Sequence, residues 1–101
     1  MVKYDTVSIK KSDRPQKKYM ASFKDSKSGR TKTTYFGQAG ATDYLISKDK
    51  DRRERYRSRH KKDLKTGDPT RAGYLSYHLL WGDSSSLRTN IASYKKRFNF
   101  K

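Results

Sequence analysis

The sequence predicts an α+β fold: an N-terminal β-hairpin, possibly extended to three strands, followed by three helices. Two observations predict this class. Residues 17–24 alternate between apolar and polar side chains, the period-2 pattern of a half-buried strand. Over residues 87–98 the apolar side chains recur every three or four positions, which is typical of an amphipathic helix. The length of 101 residues fits one small basic domain, residues 1–101.

Residues 1–16 are predicted to form an edge strand or an N-terminal arm. Residues 2–10 alternate loosely, with Val7 and Ile9 on one side and Thr6 and Ser8 on the other. The sequence Ser-Asp-Arg-Pro that follows indicates a turn.

The hairpin comes next. Its first strand places Tyr19, Ala21 and Phe23 on one face, and the sequence DSKSG at 25–29 is typical of a hairpin loop. In the return strand, 30–36, Tyr35 and Phe36 lie on opposite faces. The aromatic side chains of this basic hairpin could stack nucleic-acid bases or pack against the helices. We favour packing, with Tyr19, Phe23 and Tyr35 in the core, because the chain has few other core residues.

The first predicted helix is a single helix that begins at Tyr44, is capped by Thr42 or Asp43, and stops near Gly67. Asp49–Arg53 and Asp51–Arg55 are expected to form ion pairs four residues apart along it.

The second and third helices follow Gly67. The second is predicted from Pro69 to Trp81, with Asp68 as its N-cap. The third is capped by one of the serines at 84–86. Its apolar stripe consists of Leu87, Ile91, Tyr94 and Phe98.

Composition excludes several classes of protein. The sequence has no Cys, which excludes disulfide scaffolds, Cys-type zinc sites and thiol nucleophiles. No apolar run approaches the roughly 18 residues that span a bilayer, and the N-terminal residues lack the apolar segment of a signal peptide. With Gly included, about 37% of residues are apolar, below the usual 45–50%, so we expect a thin core.

The formal net charge is +16, and residues 48–65 alone carry ten Lys or Arg against four Asp or Glu. Such a segment can bind phosphates or acidic protein surfaces, or it can be a solvated helix. We predict that these cations contact a polyanion or an acidic partner: Lys24, Arg30, Lys32, Arg52, Arg53, Arg55, Arg57, Arg59, Lys61 and Lys62. Aromatic residues are common in interfaces, and the predicted anchors are Tyr19, Tyr35, Tyr56 and Trp81.

Catalytic patterns are weak, so we expect a binding protein and not an enzyme, with no catalytic residues, no cofactor and no metal site. The two Ser-x-x-Lys spacings lack any supporting motif. We expect His60 to be solvated or to contact an anion, and His78 to be packed in a helix. A helix-turn-helix around Gly67 is disfavoured because the second helix is apolar and would read a DNA groove poorly.

Several segments together resemble a family of small basic uncharacterised proteins of nucleocytoplasmic large DNA viruses, chlorella-virus-like and mimivirus-like. The resemblance covers about residues 17–98. Its segments are GRTKTTYFG at 29–37, DY at 43–44, RRERY at 52–56, RH at 59–60, DP at 68–69, GYLS at 73–76, LLWG at 79–82, SL at 86–87 and YKKRF at 94–98. The resemblance implies a viral origin but no particular activity, and it makes the capsid shell and the packaged genome the two leading partners.

We therefore expect a virion structural component, a minor capsid-type protein that fills or cements contacts between larger viral proteins. It would be made in the cytoplasm or nucleus of the host cell, and its termini would become ordered on assembly. The alternative is a protein that binds the packaged genome without reading its sequence. The acidic residues Asp49, Asp51, Glu54 and Asp63 interrupt the basic segment, which favours the capsid role.

Overall fold

The computed structural model describes residues 4–101 and shows an α+β fold, a three-stranded antiparallel sheet followed by helices. The strands, in the spatial order β1-β2-β3, are β1 (Thr6–Lys11), β2 (Lys17–Lys24) and β3 (Thr31–Gln38). The described chain has four α-helices where three were predicted: α1 (Tyr44–Ser47), α2 (Lys50–His60), α3 (Ala72–Leu75) and α4 (Leu87–Phe98).

The predicted hairpin is confirmed, because β2 pairs antiparallel with β3 and places Tyr19 opposite Phe36. In its loop the Asp25 carboxylate accepts a hydrogen bond from the Lys27 amide at 3.1 Å, and Gly29 adopts a φ of 77°. The N-terminal segment is an edge strand, since β1 pairs antiparallel with β2. Residues 2 and 3 of that predicted strand lie outside the described residues.

One face of the sheet packs against the helices. Ala21 and Phe23 of β2 are fully buried there, as predicted. In β3 the packed aromatic residue is Phe36, so the prediction of a packed Tyr35 is wrong. The pleat turns Tyr35 to the opposite face, where its hydroxyl donates to Asp13 at 2.8 Å and the Arg14 guanidinium lies 4.2 Å from its ring centre.

The single helix predicted over residues 44–66 is wrong, because the chain breaks after α1. Lys48 has a left-handed backbone, with φ 55° and ψ 24°, which ends α1. Asp49 then caps α2 by accepting a hydrogen bond from the Arg52 amide at 3.2 Å. Asp43 caps α1 as predicted, so two capping residues six positions apart divide one helical pattern.

The capping role of Asp49 also removes a predicted ion pair. Arg53 pairs with Glu54 at 3.0 Å and not with Asp49. Asp51 and Arg55 form no ion pair in the described part of the chain. After α2 the chain tightens into a 3₁₀ turn, Lys61–Thr66, and Gly67 ends this turn at the predicted stop.

The second predicted helix begins later than expected. The Asp68 carboxylate bonds the Thr70 amide at 2.9 Å, which forms a turn in place of a helix N-cap. Helix α3 therefore starts only at Ala72 and passes into a π turn, Ser76–Leu80. In that turn the Trp81 amide donates to the Ser76 carbonyl five residues earlier, at 3.1 Å.

The π turn lies so close to the following loop that residue 82 has no room for a side chain. A Cβ on Gly82 would come within 2.1 Å of the His78 carbonyl oxygen and 2.9 Å of the Asn90 side chain. Glycine is therefore required here for close backbone approach.

Helix α4 matches its prediction. Ser86 is the N-cap and accepts a hydrogen bond from the Thr89 amide at 3.4 Å. Tyr94 is buried, and the other three residues of the apolar stripe, Leu87, Ile91 and Phe98, pack against the core. The Tyr94 hydroxyl donates to the Pro69 carbonyl and so joins α4 to the turn before α3.

The core lies between the inner face of the sheet and the helices. Phe23 packs on Phe100 with ring centres 5.4 Å apart, and Leu75 and Leu79 are fully buried beside them. The Lys101 amide donates to the Asp5 carbonyl at 2.8 Å and its carbonyl accepts from the Val7 amide at 3.1 Å. Lys101 is therefore hydrogen-bonded to the first described strand and the residue before it within the monomer. Residues 1–3 lie outside the described residues.

Within residues 4–101, no helix is both long and apolar enough to cross a membrane.

Candidate functional site

Almost every carboxylate of this protein is engaged inside the fold. Nine of the ten Asp and Glu side chains accept a hydrogen bond or form an ion pair among the described residues, and the exception is Asp51. Over the same residues, ion pairs to carboxylates engage only four of the Lys and Arg side chains, which are Lys18, Arg53, Arg57 and Arg71. The surface therefore carries a large excess of positive charge.

Part of this excess forms one stripe along α2. Arg52, Arg55 and Arg59 are exposed at helical spacing, and Lys62 continues the line into the 3₁₀ turn. We call these four residues the α2 stripe. Within the part of the chain that the structure describes, none of them forms an ion pair, and Lys61 beside them is exposed too. These five cations were predicted to contact an anion, and their side chains are accessible to one.

Arg53 and Arg57, predicted as contacts, point inward. The Arg57 Nε donates to the Trp81 carbonyl at 2.8 Å and its Nη2 lies 2.9 Å from the Asp83 carboxylate. The Arg53 Nη1 donates to the Asp83 carbonyl at 3.2 Å, and its guanidinium lies 4.7 Å from the Tyr44 ring centre. These two arginines anchor α2 to the loop that follows the π turn.

The inner face of α2 carries an aromatic stack. Tyr56 lies between His60 and Trp81, with ring centres 4.2 Å and 4.4 Å away. Trp81 is only 7% exposed and belongs to the core, so its position differs from that of an interface anchor. Burial raises the pKa of Tyr56 above its ordinary value. His60 is partly solvated, as expected, but its Nδ1 lies 3.2 Å from Asp63.

The predicted hairpin residues lie on a separate element. Lys24 and Arg30 are exposed near the hairpin loop. The Lys32 Nζ instead donates to the Thr70 hydroxyl at 2.9 Å and links the sheet to the turn before α3. Tyr19 is half-buried, with its ring stacked on that of Phe36 at 5.9 Å.

Tyr35 is half-buried on the outer face of the sheet. Its hydrogen bond to Asp13 raises the pKa of the Tyr35 hydroxyl above the ordinary value. This tyrosine therefore stays neutral and presents a ring already covered by Arg14.

A pocket of about 200 Å³ lies where α2, the π turn and α4 meet. Its lining includes Arg57, Tyr77, Asn90 and Arg97, with His78 among them. Burial, together with the charges of Arg97 and Arg57, lowers the pKa of His78 to about 4. His78 is packed, as predicted, and it is neutral at pH 7.

Sequence reasoning missed Asn90, Asp83 and Arg97. Asn90 is 4% exposed and makes three hydrogen bonds that shape the loop after the π turn. One signal was available, since Asn90 is a polar residue on the apolar face of α4. The roles of Asp83 and Arg97 had no local signal, because they depend on contacts between distant segments.

Among residues 4–101, no group of three or more His, Asp or Glu side chains is placed to hold a metal ion. The arrangement as a whole is suited to binding anions through guanidinium and ammonium groups.

Comparison with protein-family models gives one match, over residues 7–60, to a family of unknown function, DUF5754. The matched region runs from β1 to the end of α2 and includes most of the α2 stripe. Comparison with curated proteins finds no match, and comparison with solved structures finds none. Because the match covers more than half of the chain, the protein belongs to the DUF5754 family.

Proposed function

We propose that this protein is a virion structural component of a large DNA virus, a small basic minor capsid-type protein that cements contacts between larger viral proteins. Its role is adhesion and not catalysis. It is made in the infected host cell, in the cytoplasm or nucleus, and is incorporated into the particle.

The observation that carries the proposal is the distribution of charge. Nearly all of the carboxylates form hydrogen bonds or ion pairs within the described chain, whereas exposed cations lie on three separate elements: the hairpin, α2 and α4. A protein that contacts several neighbours at once needs cations on several elements. Guanidinium groups suit this task because they form bidentate hydrogen bonds with carboxylates of the partner.

The second candidate function is binding of the packaged genome without sequence preference. The α2 stripe favours it, because these four cations follow one line and can contact successive phosphates. Asp51 and Glu54 lie beside the stripe on the same helix, and their charges oppose a phosphate backbone.

The experiment is fractionation of purified virus particles. Particles are opened, treated with nuclease, and separated into shell and released nucleoprotein, and the protein is quantified in each by mass spectrometry. We expect a fixed ratio to the major shell protein and retention with the shell after nuclease treatment.

Absence of the protein from purified particles would overturn both candidate functions. Quantitative release together with the digested DNA would select genome binding over capsid cementing. Major shell protein and a known genome-bound protein of the same particles serve as the two reference markers.

A further inference from the structure

Three arginines act on Asp83, in the loop after the π turn, and one of them, Arg57, contacts its carboxylate. Arg57 binds the Asp83 carboxylate at 2.9 Å, and Arg53 donates to the Asp83 carbonyl. The hydrogen bond from Arg57 lowers the pKa of Asp83, and the charges of Arg57, Arg53 and Arg97 lower it further. Glu54 pairs with Arg53 at 3.0 Å and lies 3.8 Å from Arg57. Two carboxylates therefore stand against three guanidinium groups, and the remaining positive charge can accept a further anion.

The pocket beside this cluster supplies the space. At about 200 Å³ it is smaller than the roughly 300–1,000 Å³ of sites for drug-sized ligands, so it suits a single side chain or a small anion. The wall contains two cations, Arg57 and Arg97, and one anion, Asp83, and Tyr77, Asn90 and Ser93 add neutral polar groups. In residues 4–101 the Arg97 guanidinium has no carboxylate partner.

We infer that this pocket binds a carboxylate from an acidic segment of a protein partner, held between Arg97 and Arg57. The inference rests on the proposed function and names the site through which one partner contact is made. It uses residues outside the α2 stripe.

The Asp83 side chain would compete with the partner's carboxylate for Arg57. The Asp83 side chain lines the pocket, is 88% exposed and is held by Arg57. Because it already neutralises part of the site, its removal leaves more positive charge for an incoming carboxylate. The Asp83→Asn variant is therefore expected to bind acidic ligands more tightly than the unmodified protein.

His78 reports on the occupancy of the pocket. The charged groups that act on it are Arg57 and Arg97, which lower its pKa, and Asp83, which raises it, while the aromatic rings of Tyr74 and Tyr94 pack around it. A bound carboxylate adds negative charge near the ring and favours its protonated form. The pKa of His78 is therefore expected to rise from about 4 when the site fills.

The test is an NMR titration of the His78 ring with a capped hexaglutamate peptide, with capped hexaglutamine as the neutral peptide and inorganic phosphate as the second anion. Arg97→Gln is the test variant, and Arg88→Gln is the matched control, since Arg88 is exposed on the same helix and carries the same charge. We expect Arg97→Gln to weaken hexaglutamate binding about tenfold, as for loss of a charged hydrogen bond, and Arg88→Gln to change it less than twofold.

The possible outcomes distinguish the pocket from the proposed cementing function. Equal weakening by both variants would overturn the pocket but leave the proposed function standing, because binding would then follow overall charge. Binding of phosphate without binding of hexaglutamate would overturn the assignment to a protein carboxylate. No binding of hexaglutamate at any site would contradict both the pocket and the cementing role. Tighter binding by Asp83→Asn would support the pocket independently, and weaker binding would contradict it.

Discussion

Asn90 shows how one side chain can organise a loop. Its amide nitrogen donates to the Leu79 and Ser84 carbonyls at 3.0 and 2.8 Å, and its oxygen accepts from the Ser84 amide at 3.1 Å. All three partners are backbone groups. An alanine at position 90 could not form these three hydrogen bonds. Such buried, unpaired groups are costly.

We expect Asn90→Ala to lower the free energy of unfolding by about 2–4 kcal/mol. Urea denaturation measures it, with Thr89→Ala as the control, since Thr89 is exposed on the same helix. A loss for Asn90→Ala no larger than that of the control would show that the loop does not depend on this amide.

His78 makes stability depend on pH in a defined window. Its pKa is about 4 in the folded protein and ordinarily 6.5, so between these values the unfolded chain binds more protons. The stabilisation is complete above pH 6.5 and is lost as the pH falls towards 4. Because the ring is only partly buried and solvent screens its charge, we expect a loss of about 2 kcal/mol relative to a His78→Leu variant. Urea denaturation across this pH range measures it. Parallel stability curves for the two proteins would contradict the buried, neutral histidine.

At the scale of elements, local periodicity predicted β2, the hairpin loop and α4, because alternation and helical spacing report directly on which face is buried. The helix ends were harder. Asp49 could pair with Arg53 or cap a new helix, and Asp68 could cap a helix or close a turn, and both alternatives use the same carboxylate. Which one forms depends on neighbouring packing that the local pattern does not contain.

In the candidate site too, local features could be predicted and contacts between distant segments could not. The basic character of residues 48–65, which include the α2 stripe, could be predicted from composition. The inward direction of Arg53 and Arg57 could not, because their partners lie in the loop after the π turn, far along the chain. The pocket could not be predicted either, since three separate segments form it.

The break between α1 and α2 can be tested by the sign of a change in the free energy of unfolding. Lys48 has a φ of 55°, which glycine adopts without strain, so Lys48→Gly is expected to raise the free energy of unfolding by about 0.5–1 kcal/mol. In a continuous helix the same change would lower it by about 1 kcal/mol. Arg55→Gly, at an exposed position inside α2, is the control and should be destabilising. Urea denaturation of both variants measures the difference.

The π turn depends on the glycine that follows it. We expect Gly82→Ala to destabilise the fold by at least about 2 kcal/mol, because the methyl group would overlap the His78 carbonyl and the backbone would have to move. Thermal and urea unfolding measure the effect, with Ser85→Ala in the same loop as the control. A stable Gly82→Ala protein with unchanged His78 signals would show that the close approach is not required.

At the scale of the whole molecule, nine of the ten carboxylates are engaged inside the fold, and several groups of bases remain exposed. The α2 stripe is one group of such bases, the hairpin cations Lys24 and Arg30 a second, and Arg88 and Arg97 on α4 a third. Under the proposed cementing function, this dispersed charge contacts acidic protein surfaces and not one DNA backbone. Under that proposal, we expect a single duplex to contact one group at a time.

The most direct measurement is a titration of the purified protein with duplex DNA of mixed sequence at salt concentrations from about 50 to 200 mM. The dependence of affinity on salt counts the phosphates neutralised together. Contacts from one group, about four phosphates or fewer, predict a loss of affinity below roughly two hundredfold over this range. A loss of about 10³-fold or more, without sequence preference, would mean that cations from several elements act together on DNA, and it would contradict the account.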